Sequence, residues 1–320
     1  MRKSMIVPVL LLSLLLTACG GEEAGSGRNS FWEELGVEET ETVLTVDGRE
    51  VPAWRYGWWL AEACSAMEAA CAAGGLAVDW DTPLEEGTLG AYVERQALEN
   101  TVLYAVVESR AAEWGAVLSA EPTGEGVRSD AGVPLEDWQR QELELVGLLF
   151  GELCAMAAAE DSSWVTRETL EAFAAAEGYV TLDTIAFPAG EDRSAARQQA
   201  EEAFARLNNA GDKGAIFAAL SAADGSAETE TLRLEGDGLE PVLASAASAL
   251  AVEQHSGILE TESGFCILRR LPPERAALAP LWLEGELLQA AEGAAVETAG
   301  AFRQLTAAAM AEAVKDASAK

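Results

Sequence analysis

The stretch from Gly178 to Leu271 constrains the fold of this chain more than any other. It opens on Y-V-T-L-D-T-I-A-F, Tyr179 to Phe187, which alternates as a strand does. It closes on S-G-F-C-I-L-R-R-L, Ser263 to Leu271, a second strand pattern. Helical patterns and one long acidic loop lie between. Ser194 stands where it can N-cap a helix carrying Ala196, Ala200, Ala203 and Leu207, and Gly211 is placed to end it. Ile216, Phe217 and Leu220 pack a shorter helix, and Ser221 to Leu232 reads as loop. A strand at each end with helices between predicts a compact α+β unit.

The rest of the chain reads as mostly helical. Val43 to Val46 is a short strand, Asp47-Gly48 a tight turn and Val51 a returning strand. Pro52 sits at a helix start, followed by Trp54, Trp58, Trp59 and Leu60 on a broad apolar face. Gly90 to Trp114 is a long helix with Val93, Ala97, Tyr104, Val107, Ala111 and Trp114 in one stripe, stopped by Gly115. Leu135 to Ala159 and Trp164 to Glu177 are further helices, the latter begun by Thr166. After Pro272-Pro273, Leu281 to Val314 is Ala-rich and reads as helix, with Leu287, Leu288, Phe302, Leu305 and Met310 as its larger apolar residues.

The formal charge is −33, which repels phosphate backbones and argues against a nucleic-acid partner. Arg2 and Lys3 precede an apolar run, Ile6 to Leu16, too short to span a bilayer as a stable helix. The run ends in L-T-A-C, a lipobox of bacterial lipoproteins, so residues 1–19 are expected to be a signal peptide and lipobox, with Cys19 the lipidated residue. Acyl chains anchor a protein without a transmembrane helix, each buried methylene adding about 0.8 kcal/mol. The predicted location is the extracytoplasmic face of the cell membrane. Residues 20–41 begin with a Gly-, Ser- and Glu-rich stretch and read as a tether.

Metal and cofactor chemistry finds little footing. His255 is the single histidine and sits in a turn, where it is expected to be exposed. There is no CxxC, EF-hand, GxSxG, Walker loop or dinucleotide fingerprint, so no metal and no cofactor is expected. Cys64 and Cys71 lie about 10.5 Å apart along a helix, beyond the ~7 Å a disulfide tolerates. A bridge from either to Cys154 stays open beside free, buried thiols.

The two strand motifs carry a resemblance. T-I-A (Thr184, Ile185, Ala186) and G-F-C-I (Gly264 to Ile267) stand where parvulin-type prolyl isomerase domains have H-I-L and G-[YF]-H-I. Thr184 and Cys266 thus occupy the slots of both family histidines. V-L-T-V-D-G-R-E-V-P, Val43 to Pro52, resembles the N-terminal chaperone segment of secreted parvulin foldases of the SurA and PrsA type. Leu98 to Gly115 is similar to their long helix.

The resemblance implies a discontinuous helical chaperone-like domain, 42–177 plus 274–314, with a parvulin-like domain inserted at 178–272. It implies clients that are unfolded or proline-containing polypeptides. It places Thr184, Ser221, Asp224 and Cys266 at the catalytic positions, and Ile185, Leu239, Leu243 and Phe265 around the proline pocket. Prolyl isomerisation needs no nucleophile, since it is rotation about an amide with a barrier of about 18–20 kcal/mol. An apolar cup and polar groups favouring the twisted amide could suffice. Without the histidines, the expected function is a lipid-anchored foldase or chaperone with weak or absent isomerase activity. The alternatives are an active isomerase of the same family and a solute-binding lipoprotein, which would show repeated βα units around a parallel sheet.

Overall fold

The computed structural model describes residues 27–127, 131–223, 229–235 and 238–319. In chain order the elements are α1 (Gly27–Leu35), β1 (Thr42–Val46), β2 (Arg49–Pro52), α2 (Ala53–Ala73), β3 (Pro83–Leu84), β4 (Gly87–Thr88), α3 (Leu89–Trp114), α4 (Asp137–Ala158) and α5 (Arg167–Glu177). Then follow β5 (Tyr179–Pro188), α6 (Arg193–Asn209), α7 (Lys213–Ala223), β6 (Thr229–Arg233), α8 (Pro241–Ala249), β7 (Leu259–Glu260), β8 (Gly264–Leu271), α9 (Arg275–Gly293), β9 (Val296–Thr298) and α10 (Ala307–Ser318). The architecture is α+β, in two compact units. One combines the chain up to Leu153 with Gly285 onward; the other is Cys154–Glu284. The boundaries fall inside α4 and α9.

The first unit is helical around a small antiparallel sheet of order β2-β1-β9. Asp47 and Gly48 both take positive φ, 51° and 80°, and close the β1–β2 hairpin as the sequence predicts. β2 runs straight into α2, whose Trp54, Tyr56, Trp58, Trp59 and Leu60 are all buried. Gly57 lets α1 come close, because a Cβ there would lie 2.7 Å from the Trp32 ring.

α3 follows its predicted limits, with Gly115 left-handed at its end. Its buried face also holds Glu108, which accepts from Arg55 Nη1 and Nη2 at 3.0 and 2.8 Å. Arg49 adds a third contact to Glu108 at 3.0 Å. A carboxylate so paired tolerates burial that an isolated one would not.

The predicted single helix over Leu281–Val314 is corrected by the structure. The run breaks after α9. Val296–Thr298 pairs with β1, Leu44 facing Thr298 and Val46 facing Val296, and a 3-10 turn at Gly300–Gln304 leads to α10. Backbone pairing with an existing strand outweighs the helix preference of alanine.

In the second unit, one antiparallel sheet has the order β6-β5-β8-β7. β5 and β8 lie side by side from Thr181↔Leu271 to Pro188↔Gly264. α6 and α7 cover one face with Ala196, Ala200, Ala203, Leu207 and Phe217, packed on Ile185, Phe187, Phe265 and Ile267. α8 covers the other, where Ala247 and partly buried Leu243 meet Val180, Leu182, Cys266 and Leu268. A third core joins the end of α4, α5 and the start of α9 through Ala157, Val165, Leu170, Ala174, Leu278 and Ala279.

Three local expectations change. The cap of α6 is Asp192, not Ser194, because its Oδ1 accepts from the amides of Ser194 and Ala195 at 3.0 Å each. α6 ends at Asn209, short of Gly211. The predicted loop contains a strand, β6, paired with β5 over Thr229–Arg233 and joined to it by a 3.0 Å hydrogen bond between the Thr181 and Thr231 hydroxyls.

Candidate functional site

The register of β5 against β8 decides which predicted residues can meet. Side chains alternate across a strand, so Thr184, Ala186, Cys266 and Leu268 share one face. Cys266 lies opposite Ala186, and Thr184 opposite Leu268. Thr184 and Cys266 are therefore diagonal neighbours, at a spacing of about 7–8 Å between the strands. Leu243 of α8 packs on the same face.

Ile185 and Phe265 do not belong to that face. Both sit in the core under α6 and α7, and both are buried. Arg193 closes over the Phe265 ring at 5.2 Å, held there by bonds to Glu260 Oε1 and the Thr261 carbonyl. The expected grouping of Ile185, Leu239, Leu243 and Phe265 is thus divided by the sheet. The reason is the two-residue period: a motif read as a string puts its neighbours on opposite sides. Leu239 is half-buried, two residues before α8 begins.

The polar residues are similarly dispersed. Ser221 is 5% exposed in α7, and its hydroxyl donates to the Ala218 carbonyl at 3.2 Å. That proton is committed within its own helix. Asp224 and Cys19 lie outside the described residues. Thr184 is half-buried. Cys266 is 5% exposed, and burial, with Glu240 adding repulsion, pushes its thiol up to about 11. A thiol so shifted stays protonated at neutral pH and is a weak donor at best.

Among the described residues this face brings together Thr184, Cys266 and Leu243, and no imidazole. The single histidine lies elsewhere. His255 is half-buried rather than exposed, its ring edge-on to Phe204 at 5.9 Å and its backbone bridged to Arg269. Packing of the β7 approach against α6 draws it inward.

Cys64, Cys71, Cys154 and Cys266 are all free. Burial pushes Cys64 up to about 12 and Cys154 to about 11, carboxylates nearby adding to both. Among the described residues no group of three or more His, Cys, Asp or Glu side chains is placed to hold a metal ion, and no helix is long and apolar enough to cross a membrane. A hollow of about 590 Å³ is formed by α1 and the chain leading to β1, with Glu33, Glu38 and Glu41 in its wall, and not by the sheet.

No protein-family model matches the chain, and no curated protein does. Solved structures do align with it. PrsA from Bacillus subtilis is 17% identical, over 88% of this chain and 93% of that one, with a TM-score of 0.26. A Campylobacter jejuni structure from the pair PEB4 and Cj1289, described as SurA-like chaperones, is 12% identical over 79% and 93%, with a TM-score of 0.24. The foldase protein PrsA from Lactococcus lactis is 12% identical over 79% and 86%, with a TM-score of 0.23. The chain is similar to solved PrsA and SurA-like foldases.

Proposed function

We propose that this chain is a lipid-anchored extracytoplasmic chaperone of the foldase type, which binds unfolded polypeptide without catalysing prolyl isomerisation. The observation that carries the second half is the state of the two slots. Thr184 and Cys266 share the α8-covered face of the sheet, but the Cys266 thiol is buried and protonated. Leu243, at a position the family resemblance gives to the proline cup, packs into the core on that face.

The first half is supported by the opening of the helical unit. V-L-T-V-D-G-R-E-V-P folds as the β1–β2 hairpin leading directly into α2, the order that segment has by resemblance in secreted foldases. The order basic residues, apolar run, lipobox supports anchoring through Cys19. We read residues 178–272, the sheet-bearing part of the unit Cys154–Glu284, as a parvulin-like domain inserted between 42–177 and 274–314. Every strand pair among the described residues is antiparallel, which does not suit the repeated βα units of a solute-binding lipoprotein.

The test is suppression of aggregation. A chemically unfolded secretory protein diluted into buffer with this chain should stay soluble in proportion to the chain added. Aggregation at an unchanged rate with the chain in excess would remove the chaperone reading.

A further inference from the structure

The second unit contains a cavity of about 260 Å³ that the sheet does not form. Its wall consists of Glu160, Arg167, Leu170, Pro273 and Arg275. These residues come from the loop after α4, the first turn of α5 and the turn from β8 into α9. We propose that this cavity binds a single carboxylate, that of the C-terminal residue of a peptide.

Charge is the first argument. The protein carries −33 overall, yet this small cavity is lined by two arginines and one glutamate. Arg275 is half-buried and uses only Nη1, which donates to the carbonyls of Ala157 at 3.2 Å and Val165 at 2.7 Å. Those two bonds fix the guanidinium at the cavity wall. Its Nε and Nη2 have no partner among the described residues. A guanidinium has five donors, and a fixed one with donors to spare is preorganised for a carboxylate.

Arg167 stands at the other side, its only ion pair among the described residues a loose one to Glu171 at 3.9 Å with both side chains more than half exposed. It is also the first residue of α5, whose N-terminal amides are capped by the Thr166 hydroxyl, with Glu168 in the same turn.

The remaining wall selects among anions. Glu160 repels a second negative charge and can accept from an amide N–H, which favours a peptide terminus over phosphate or a dicarboxylate. Leu170 and Pro273 supply an apolar side for the last side chain. The volume corresponds to roughly nine waters at about 30 Å³ each, room for one terminal residue rather than a chain segment. Long-range repulsion from the acidic surface is screened beyond about 8 Å at physiological salt, so the local guanidinium groups decide.

This site is independent of the chaperone reading, because binding of an unfolded chain elsewhere does not distinguish a free terminus from a blocked one. The experiment is calorimetric titration of the full chain with the peptide acetyl-Ala-Ala-Leu as the free acid and as the C-terminal amide. The free acid is expected to bind with unit stoichiometry, and the amide at least tenfold more weakly. Arg167→Gln, at a side chain 73% exposed, is expected to weaken the acid about tenfold and leave the circular dichroism unchanged. Arg275→Lys keeps the charge but loses the fork, and a similar loss is expected from a folded variant. Equal binding of acid and amide, no heat from the acid at millimolar concentration, or an unchanged affinity in Arg167→Gln would overturn the proposal. Inorganic phosphate binding as tightly as the peptide would overturn it too, as the mark of an unselective anion site.

Discussion

The two faces of the β5–β8 pair differ in kind. Under α6 and α7, Ile185, Phe187, Phe265 and Ile267 close a core with Leu207 and Phe217 in which every one of these side chains is at most 5% exposed. On the α8 face, Thr184 is half-buried and Cys266 is a silent thiol beside alanines and leucines. Both faces are written by the same two short motifs, since neighbours in a strand point in opposite directions. Phe265 and Ile267 serve the core under α6 and α7. The position between them, Cys266, is where the resemblance puts chemistry.

The comparison breaks first at Phe217. It is fully buried between α7 and the sheet, and Phe217→Ala should cost about 3–5 kcal/mol through lost burial and the cavity left behind. Urea unfolding of the chain, followed by far-ultraviolet circular dichroism, reads this as a fall in the midpoint of the second unit.

Gly264 comes next. Its φ is +157°, and a Cβ there would lie 2.2 Å from the Phe187 carbonyl oxygen and 2.8 Å from the Ala189 amide. The glycine of the G-F-C-I motif is thus required by the close approach of backbone, and Gly264→Ala should destabilise by about 3 kcal/mol. The same unfolding curve measures it. A cost under 0.5 kcal/mol, the ordinary range for a surface change, would show that β5 and β8 do not come so close in solution.

The smallest effect belongs to the α8 face. Thr184→Ala with Cys266→Ala removes a half-exposed hydroxyl and one sulfur, and should cost at most about 1.5 kcal/mol together. If the pair cost as much as Phe217→Ala, the division between a structural face and a dispensable one would fail.

Much of this was legible in the residues. Asp47-Gly48, Gly115 and Thr166 mark their turn, stop and cap because each acts on backbone within a few residues. β5 and β8 show as strands because both are central and helices cover both of their faces, so that Gly264 to Leu268 are buried without a break. β6 was hidden because it is an edge strand with Thr229, Glu230 and Arg233 exposed, so burial imposed no apolar pattern on it. β9 was hidden for the same reason, all of its residues being exposed.

Thr184 and Cys266, expected at one site, share a face of the sheet, while Ile185 and Phe265, expected with them, lie on the other. The two-residue period was enough to separate them, since each stands one position from a slot and so faces away from it. The buried Arg55–Glu108 pair left no local trace, as its members are 53 residues apart on different helices. Neither did the cavity between Arg167 and Arg275, which is assembled from segments more than a hundred residues apart.

The most direct measurement of the central claim is the cis–trans relaxation of a short X-Pro peptide in the presence of the full chain. The account predicts the uncatalysed time, about 10–100 s at 25 °C, at every concentration of the protein. It predicts the same time for Thr184→Ala with Cys266→Ala. A relaxation rate that rises in proportion to the protein would contradict it, and loss of that rise in the double variant would assign the reaction to the hydroxyl and thiol held here to be silent.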